Sequence, residues 1–235
     1  MPTQDTGQQL ARQVRERFVR AIAQLVPKLS ATLTRVLGEA VQSNLRGLQI
    51  PLQDVLEAPR AFKKAQAQWE QVVRREWLHC ARGTKEPAPK GDLFGRLELV
   101  DDSVVEGKIL AARLGASINE ANANVWSDLQ VRMQRLEYSR RLDNDDPLRA
   151  EVFVRCLLTA WRDCGLSQPL WTLVQDSVKP VLIDGYRDAY TTANDFLFQA
   201  GIPAELDLKA RLRRGADLPG TGAAGLVAAM PGRDA

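Results

Sequence analysis

Histidine occurs once in this sequence and cysteine three times, and that scarcity removes most common catalytic and metal-binding designs. Any Ser-His-Asp or Cys-His nucleophile would have to run through His79, whose tempting partner is the adjacent Cys80. Neighbouring helical positions point about 100° apart, so the two side chains do not face each other. A zinc centre needs about four clustered ligands, which one histidine and the scattered Cys80, Cys156 and Cys164 do not supply. The acidic run Asp143, Asp145 and Asp146 resembles the start of a calcium loop, but Leu148 stands where the glycine turn belongs and Val154 where the bidentate acid belongs. Neither a GxxxxGK[ST] nor a GxGxxG phosphate-binding pattern occurs. No catalytic residue, cofactor-binding residue, cofactor or metal ligand is therefore expected.

Other absences narrow the setting. Cys156 and Cys164 lie eight positions apart in one expected helix, about 12 Å along its axis, too far for a disulfide. All three cysteines read as free thiols of a reducing compartment. No stretch approaches the roughly 20 apolar residues that span a bilayer, and residues 1–9 carry neither the basic cluster nor the apolar run of a secretory signal. The expected address is the cytoplasm, with no membrane span. Charge of one sign is lacking too: 32 Lys and Arg against 29 Asp and Glu leave +3, too little to demand a polyanionic partner.

What the sequence does have is helical periodicity almost everywhere, with strict alternation confined to residues 96–101. Leu10, Val14, Phe18, Ile22 and Leu25 mark a first stripe. Pro27 kinks that rod or opens a second helix, whose stripe runs Leu29, Leu33, Val36, Leu37, Ala40 and Val41. Leu52, Val55 and Leu56 are expected to cover the end of a core, and a third helix to run from Pro59 to Arg82, burying Phe62, Trp69, Val73, Trp77 and Cys80 and stopping at Gly83. Residues 83–95 read as a surface loop. Ser103 with Glu106 forms a capping box. From there Val105, Ile109, Ala112, Ala116, Asn119, Ala123, Trp126, Met133 and Leu136 predict one long helix over 103–141, with a break near Gly115 and Ser117 as the alternative. Asp146 and Pro147 suit the start of the next helix, which buries Val152, Phe153, Cys156, Leu157, Ala160, Trp161 and Cys164. A further helix begins at Ser167 and Pro169 and kinks at Pro180, and a last one carries Tyr186, Tyr190, Phe196 and Leu197 to a stop at Gly201 and Pro203.

The fold class is thus all-α: a bundle of about six to seven helices with one long central helix and a disordered C-terminal tail. The expected domain covers 1–212, with a subdivision into N-terminal helices 1–82 and a C-terminal bundle 96–212. Residues 213–235, heavy in Gly, Ala and Pro, have the composition of a flexible tail.

Charge is unevenly spread. Residues 59–90 carry eight Lys and Arg against three Asp and Glu, whereas residues 91–146 carry seven against eleven. The sequence therefore supports three functions. The first is a non-enzymatic helical scaffold or regulatory protein, acting by protein-protein interaction or self-association through the long helix. The second is nucleotide or nucleic-acid binding through the basic helix 59–82, with Lys63, Lys64, Arg74 and Arg75 as the anion contacts. The third is an enzyme whose pocket is assembled from distant groups such as His79, Tyr186 and Tyr190.

Three segments, LELVDDSVVEGKILAARL, NDDPLRAEVF and YRDAYTTANDFLFQAGIP, carry a likeness between residues 97 and 203. Leu99, Val100 and Asp101, then Asp145 and Pro147, then Tyr190, Asn194, Leu197, Gly201 and Pro203 resemble the bacterial domain-of-unknown-function family 1631. The resemblance implies a helical cytoplasmic protein of bacterial type without an established activity. Typical members are longer, which implies an N-terminal module or a shortened relative.

Overall fold

The computed structural model describes residues 4–42, 50–81, 102–139 and 141–204. Among them are seven α-helices and no strand: α1 (Gln4–Ala23), α2 (Val26–Gln42), α3 (Leu52–Ala81), α4 (Asp102–Ala121), α5 (Ala123–Glu137), α6 (Ala150–Asp163) and α7 (Gln168–Gln199). The expected loop 83–95, the lead-in 96–101 and the tail 213–235 lie outside the described residues.

Pro27 occupies the second position of α2, where its missing amide has no helical partner to lose, and a turn at Gln24 and Leu25 separates the two rods. α3 differs from expectation. It begins at Leu52, so Pro59 stands inside it and not at its head. The absent amide removes one bond of the ladder, while burial of Val55 and Ala58 holds the turn around it. Likewise the helix expected to run through a kink at Pro180 to Leu182 and the last helix expected from Tyr186 are one rod of 32 residues. It buries Trp171, Val174, Val178, Leu182, Tyr186, Tyr190 and Leu197 along a single line that the proline does not interrupt. The boundary near Pro147 moves the other way: α6 starts at Ala150, and Asp146 Oδ1 instead accepts the Leu148 amide at 2.9 Å in a turn.

The rod expected over 103–141 is divided at Asn122, five to seven residues beyond the alternative break at Gly115 and Ser117. Asn122 is buried, and its amide nitrogen donates to the carbonyls of Ile118 at 3.0 Å and Ile183 at 3.1 Å, clamping the break to α7. Within α4 the buried line is also not the expected one. Ala111, Gly115 and Ile118 face inward, while Ile109, Ala112 and Ala116 are exposed.

The long central helix is α7, which packs against α1, α2, α4 and α5. α6 lies between α3 and α4, which explains why it is buried almost all round, from Ala150 and Val152 through Val154 to Ala160 and Trp161. One contiguous apolar cluster draws on all seven helices. Aromatic rings stitch its middle: Phe18 stacks on Tyr190 at 5.4 Å, Trp126 on Tyr190 at 5.0 Å, and Trp77 meets Phe153 edge-on at 4.9 Å. Glycine ends two helices. Gly165 and Gly201 adopt φ of 73° and 78°, and the following amides, Leu166 and Ile202, reach back to the carbonyls of Trp161 and Leu197.

Candidate functional site

The outer face of α3 collects more unpaired charge than its sequence context suggests. At about 100° per residue, Leu52, Leu56, Arg60, Lys63, Lys64, Arg74, Arg75 and Leu78 fall within one sector of roughly 140°. All are exposed, and the opposite sector buries Val55, Phe62, Trp69, Val73 and Trp77. The structure therefore brings the four expected anion contacts onto one surface, with the 63–64 and 74–75 pairs about 16 Å apart along the axis. Among the described residues no ion pair reaches Arg60, Lys63, Lys64 or Arg74, and Arg75 pairs only with its neighbour Glu76. Three leucines share this face, Leu52, Leu56 and Leu78, at 66%, 49% and 42% exposure. The spacing of Trp69 and Trp77 was a core signal: both are fully buried, and the Trp77 indole donates to the Val19 carbonyl at 2.9 Å.

A second feature was not legible in the sequence. A cleft of about 450 Å³ opens where α4, α6 and the start of α7 meet. Its floor is Trp161 and Trp171, in edge contact at 5.4 Å, and Lys108, Arg155 and Arg162 stand around it. Arg155 leans on Asp145 at 3.0 Å, and Gln168 of the lining donates to Glu106 of α4 at 2.8 Å. None of the groups proposed for an assembled enzyme pocket lines this cleft. His79 is exposed near the end of α3, whereas Tyr186 and Tyr190 are enclosed in the core. Among the described residues no group of three or more His, Cys, Asp or Glu side chains gathers as a metal site, and no helix is long and apolar enough to cross a membrane.

Several charges that might have read as functional tie helices together. Arg15 of α1 bonds both Glu137 at 2.9 Å and Asp146 at 3.1 Å. Burial works against its charge, yet the two carboxylates hold the guanidinium more firmly protonated than usual. Asn194 donates to the Val125 carbonyl at 2.7 Å, and Arg135 to that of Pro203 at 2.6 Å. All three thiols are free, as expected, but the sequence did not show which of them meet. Cys80 and Cys156, from α3 and α6, meet with their sulfurs 3.6 Å apart, while Cys164 stands elsewhere on α6's end.

Fold and surface define a class: an all-α bundle with a central long helix and a basic, leucine-bearing outer helix. The chain belongs to the family described as Protein of unknown function (DUF1631) N-terminal domain, whose model matches residues 6–201. The match extends well beyond the segments in which the likeness was visible, taking in α1, α2 and α3. No curated protein and no solved structure matches the chain. The residues that carried the likeness have structural places: Tyr190, Asn194 and Leu197 line the buried side of α7, Asp145 pairs with Arg155, and Gly201 turns the chain after α7. Leu99, Val100 and Asp101 lie outside the described residues.

Proposed function

We propose that this chain is a non-enzymatic helical interaction module that docks an acidic, amphipathic protein segment on the outer face of α3. The observation that supports this most is the combination on one exposed sector of Arg60, Lys63, Lys64 and Arg74, which have no ionic partner among the described residues, and three exposed leucines. Charge steers and orients a partner, whereas apolar side chains that lose water on docking supply the larger share of affinity. Solvated surface cations alone explain Lys63 and Lys64, but not the leucines beside them. The bacterial cytoplasm is the compartment that fits three unpaired thiols.

The face also favours a second reading, in which the cations track a nucleic-acid backbone. Two variants separate the readings: Lys63→Gln/Lys64→Gln/Arg74→Gln/Arg75→Gln, and Leu56→Ser/Leu78→Ser. The probes are a fluorescent Glu-rich amphipathic helical peptide and a fluorescent single-stranded oligonucleotide, followed by anisotropy across a salt series. Docking of a protein segment predicts peptide binding weakened tenfold or more by either variant, about 1.4 kcal/mol or above. Backbone tracking predicts oligonucleotide binding lost in the charge variant and indifferent to the leucines. If neither probe binds the parent chain in low salt, the assignment of this face is wrong.

A further inference from the structure

Cys80 and Cys156 lie 76 positions apart in sequence, on α3 and α6, yet their sulfurs stand 3.6 Å from each other. Their surroundings divide two tasks between them. Cys80 is next to the end of α3 and partly exposed, so a small solute can reach it. Cys156 sits in the middle of α6, buried at 5% exposure, with the Cys80 sulfur against its own. We propose that Cys80 is an oxidation site for hydroperoxides and that Cys156 resolves the oxidised sulfur into an intramolecular disulfide.

Each step balances. The Cys80 thiolate attacks one oxygen of hydrogen peroxide; the S–O bond forms as the O–O bond breaks, and the hydroxide that leaves takes up the proton Cys80 released to solvent on ionising and becomes water. Cys80 is then a sulfenic acid, its sulfur oxidised by two electrons and the peroxide reduced by two. Cys156 gives up its proton and attacks the Cys80 sulfur, the S–S bond forms as the S–O bond breaks, and the departing hydroxide leaves with that proton as water. The sulfurs must close from 3.6 Å to about 2 Å, a displacement within reach of side-chain rotation next to a helix end.

The local electrostatics agree with this order of events. The Cys156 thiol, hydrogen-bonded to Cys80, favours the Cys80 thiolate; burial opposes it, Arg155 assists, and Glu76 and Asp145 resist, leaving Cys80 lowered to about 7. The same contact and burial push Cys156 upward, so it stays a thiol until Cys80 has been oxidised. Cys164 has no sulfur neighbour among the described residues and serves as an internal control.

The test exposes the reduced full chain to a small excess of hydrogen peroxide, then denatures it, alkylates it with N-ethylmaleimide and maps the products by mass spectrometry. Alkylatable thiols should fall from three to one, the survivor being Cys164, with the peptides of Cys80 and Cys156 joined. Cys164→Ser should keep the bridge, Cys80→Ser should abolish it, and Cys156→Ser should stop at a Cys80 sulfenic acid that dimedone traps. Three thiols surviving in the parent chain, a bridge through Cys164, or oxidation of Cys156→Ser without a dimedone adduct on Cys80 would each overturn the proposal. The measurement on the parent chain needs no variant, so a misfolded substitution leaves the decision intact.

Discussion

Tyr186 and Tyr190 stand one turn apart on α7 with their rings in edge contact at 5.4 Å, and their hydroxyls meet opposite fates. Tyr190 donates to the Leu148 carbonyl at 2.9 Å, whereas the Tyr186 hydroxyl finds no hydrogen-bond partner among the described residues. A buried hydroxyl without a partner has lost its water bonds for nothing, while removing a bonded one strands its acceptor. Tyr186→Phe should therefore raise stability by about 1 kcal/mol and Tyr190→Phe lower it by a similar amount, read from urea unfolding midpoints. Equal signs would refute this account of the pair. Burial, and to a lesser degree neighbouring groups, lift both phenols well above their ordinary 10.0. Their folded values exceed their unfolded ones, so the stability from keeping them neutral is intact below about pH 10 and drains away as pH rises beyond it. The three thiols titrate in the same range, so the melts use the Cys80→Ser/Cys156→Ser/Cys164→Ser chain: between pH 8 and 11.5 they should be level up to about pH 10 and then fall. A decline centred near pH 8 would point to other groups.

At the scale of elements, the contact between α4 and α6 turns on Gly115. A Cβ built there would stand 2.8 Å and 2.9 Å from the backbone nitrogen and Cα of Glu151, with no flexible side-chain tip to yield. In sequence that glycine looked like a break; in the folded chain it is where two helices approach closely. Gly115→Ala gains helix propensity of somewhat under 1 kcal/mol but must push the helices apart. Overpacking of this kind costs about 1–3 kcal/mol, so the packing term prevails and the variant should be less stable than the parent by about 1–2 kcal/mol. A stabilised Gly115→Ala chain, measured by urea titration, would mean that α6 does not lie where the structure puts it. The same contact explains the misjudged face of α4. Ile109, Ala112 and Ala116 keep helical spacing as faithfully as Ala111, Gly115 and Ile118 do, and only the position of α6 chooses between the two lines.

For the molecule as a whole, the apolar cluster runs without a gap from α1 to α7, and the Arg15 tie joins the first helix to Glu137 and Asp146. α7 touches α1, α2, α4 and α5, so the N-terminal helices cannot come away without uncovering it. Urea unfolding should accordingly be a single transition, with far-ultraviolet circular dichroism and tryptophan fluorescence sharing one midpoint. Separate midpoints would show that residues 1–82 and 96–212 fold as two units. The five tryptophans report from both regions, since Trp69 and Trp77 lie on α3 and Trp126, Trp161 and Trp171 on α5, α6 and α7.

Whatever depends on neighbours along the chain was present in the sequence. Apolar side chains three and four residues apart fixed the helical class and most of the buried lines of α1, α2, α3, α6 and α7, although Val41, Leu52 and Leu56, expected on the core, are exposed; Gly165 and Gly201 marked two of the ends, because backbone hydrogen bonding and φ preferences act over a single turn. Whatever depends on which helix lies against which was decided only by the fold. Prolines 59 and 180 were absorbed because burial on their helices outweighs one missing bond, and Asn122 divided a rod because a carbonyl of α7 was there to receive its amide. Lys63, Lys64, Arg74 and Arg75 could be placed on one face from spacing alone, but that among the described residues no acid of another helix pairs with them required the position of those helices. Cys80 meets Cys156 for the same reason: 76 residues of chain say nothing about distance until two separate rods pack side by side.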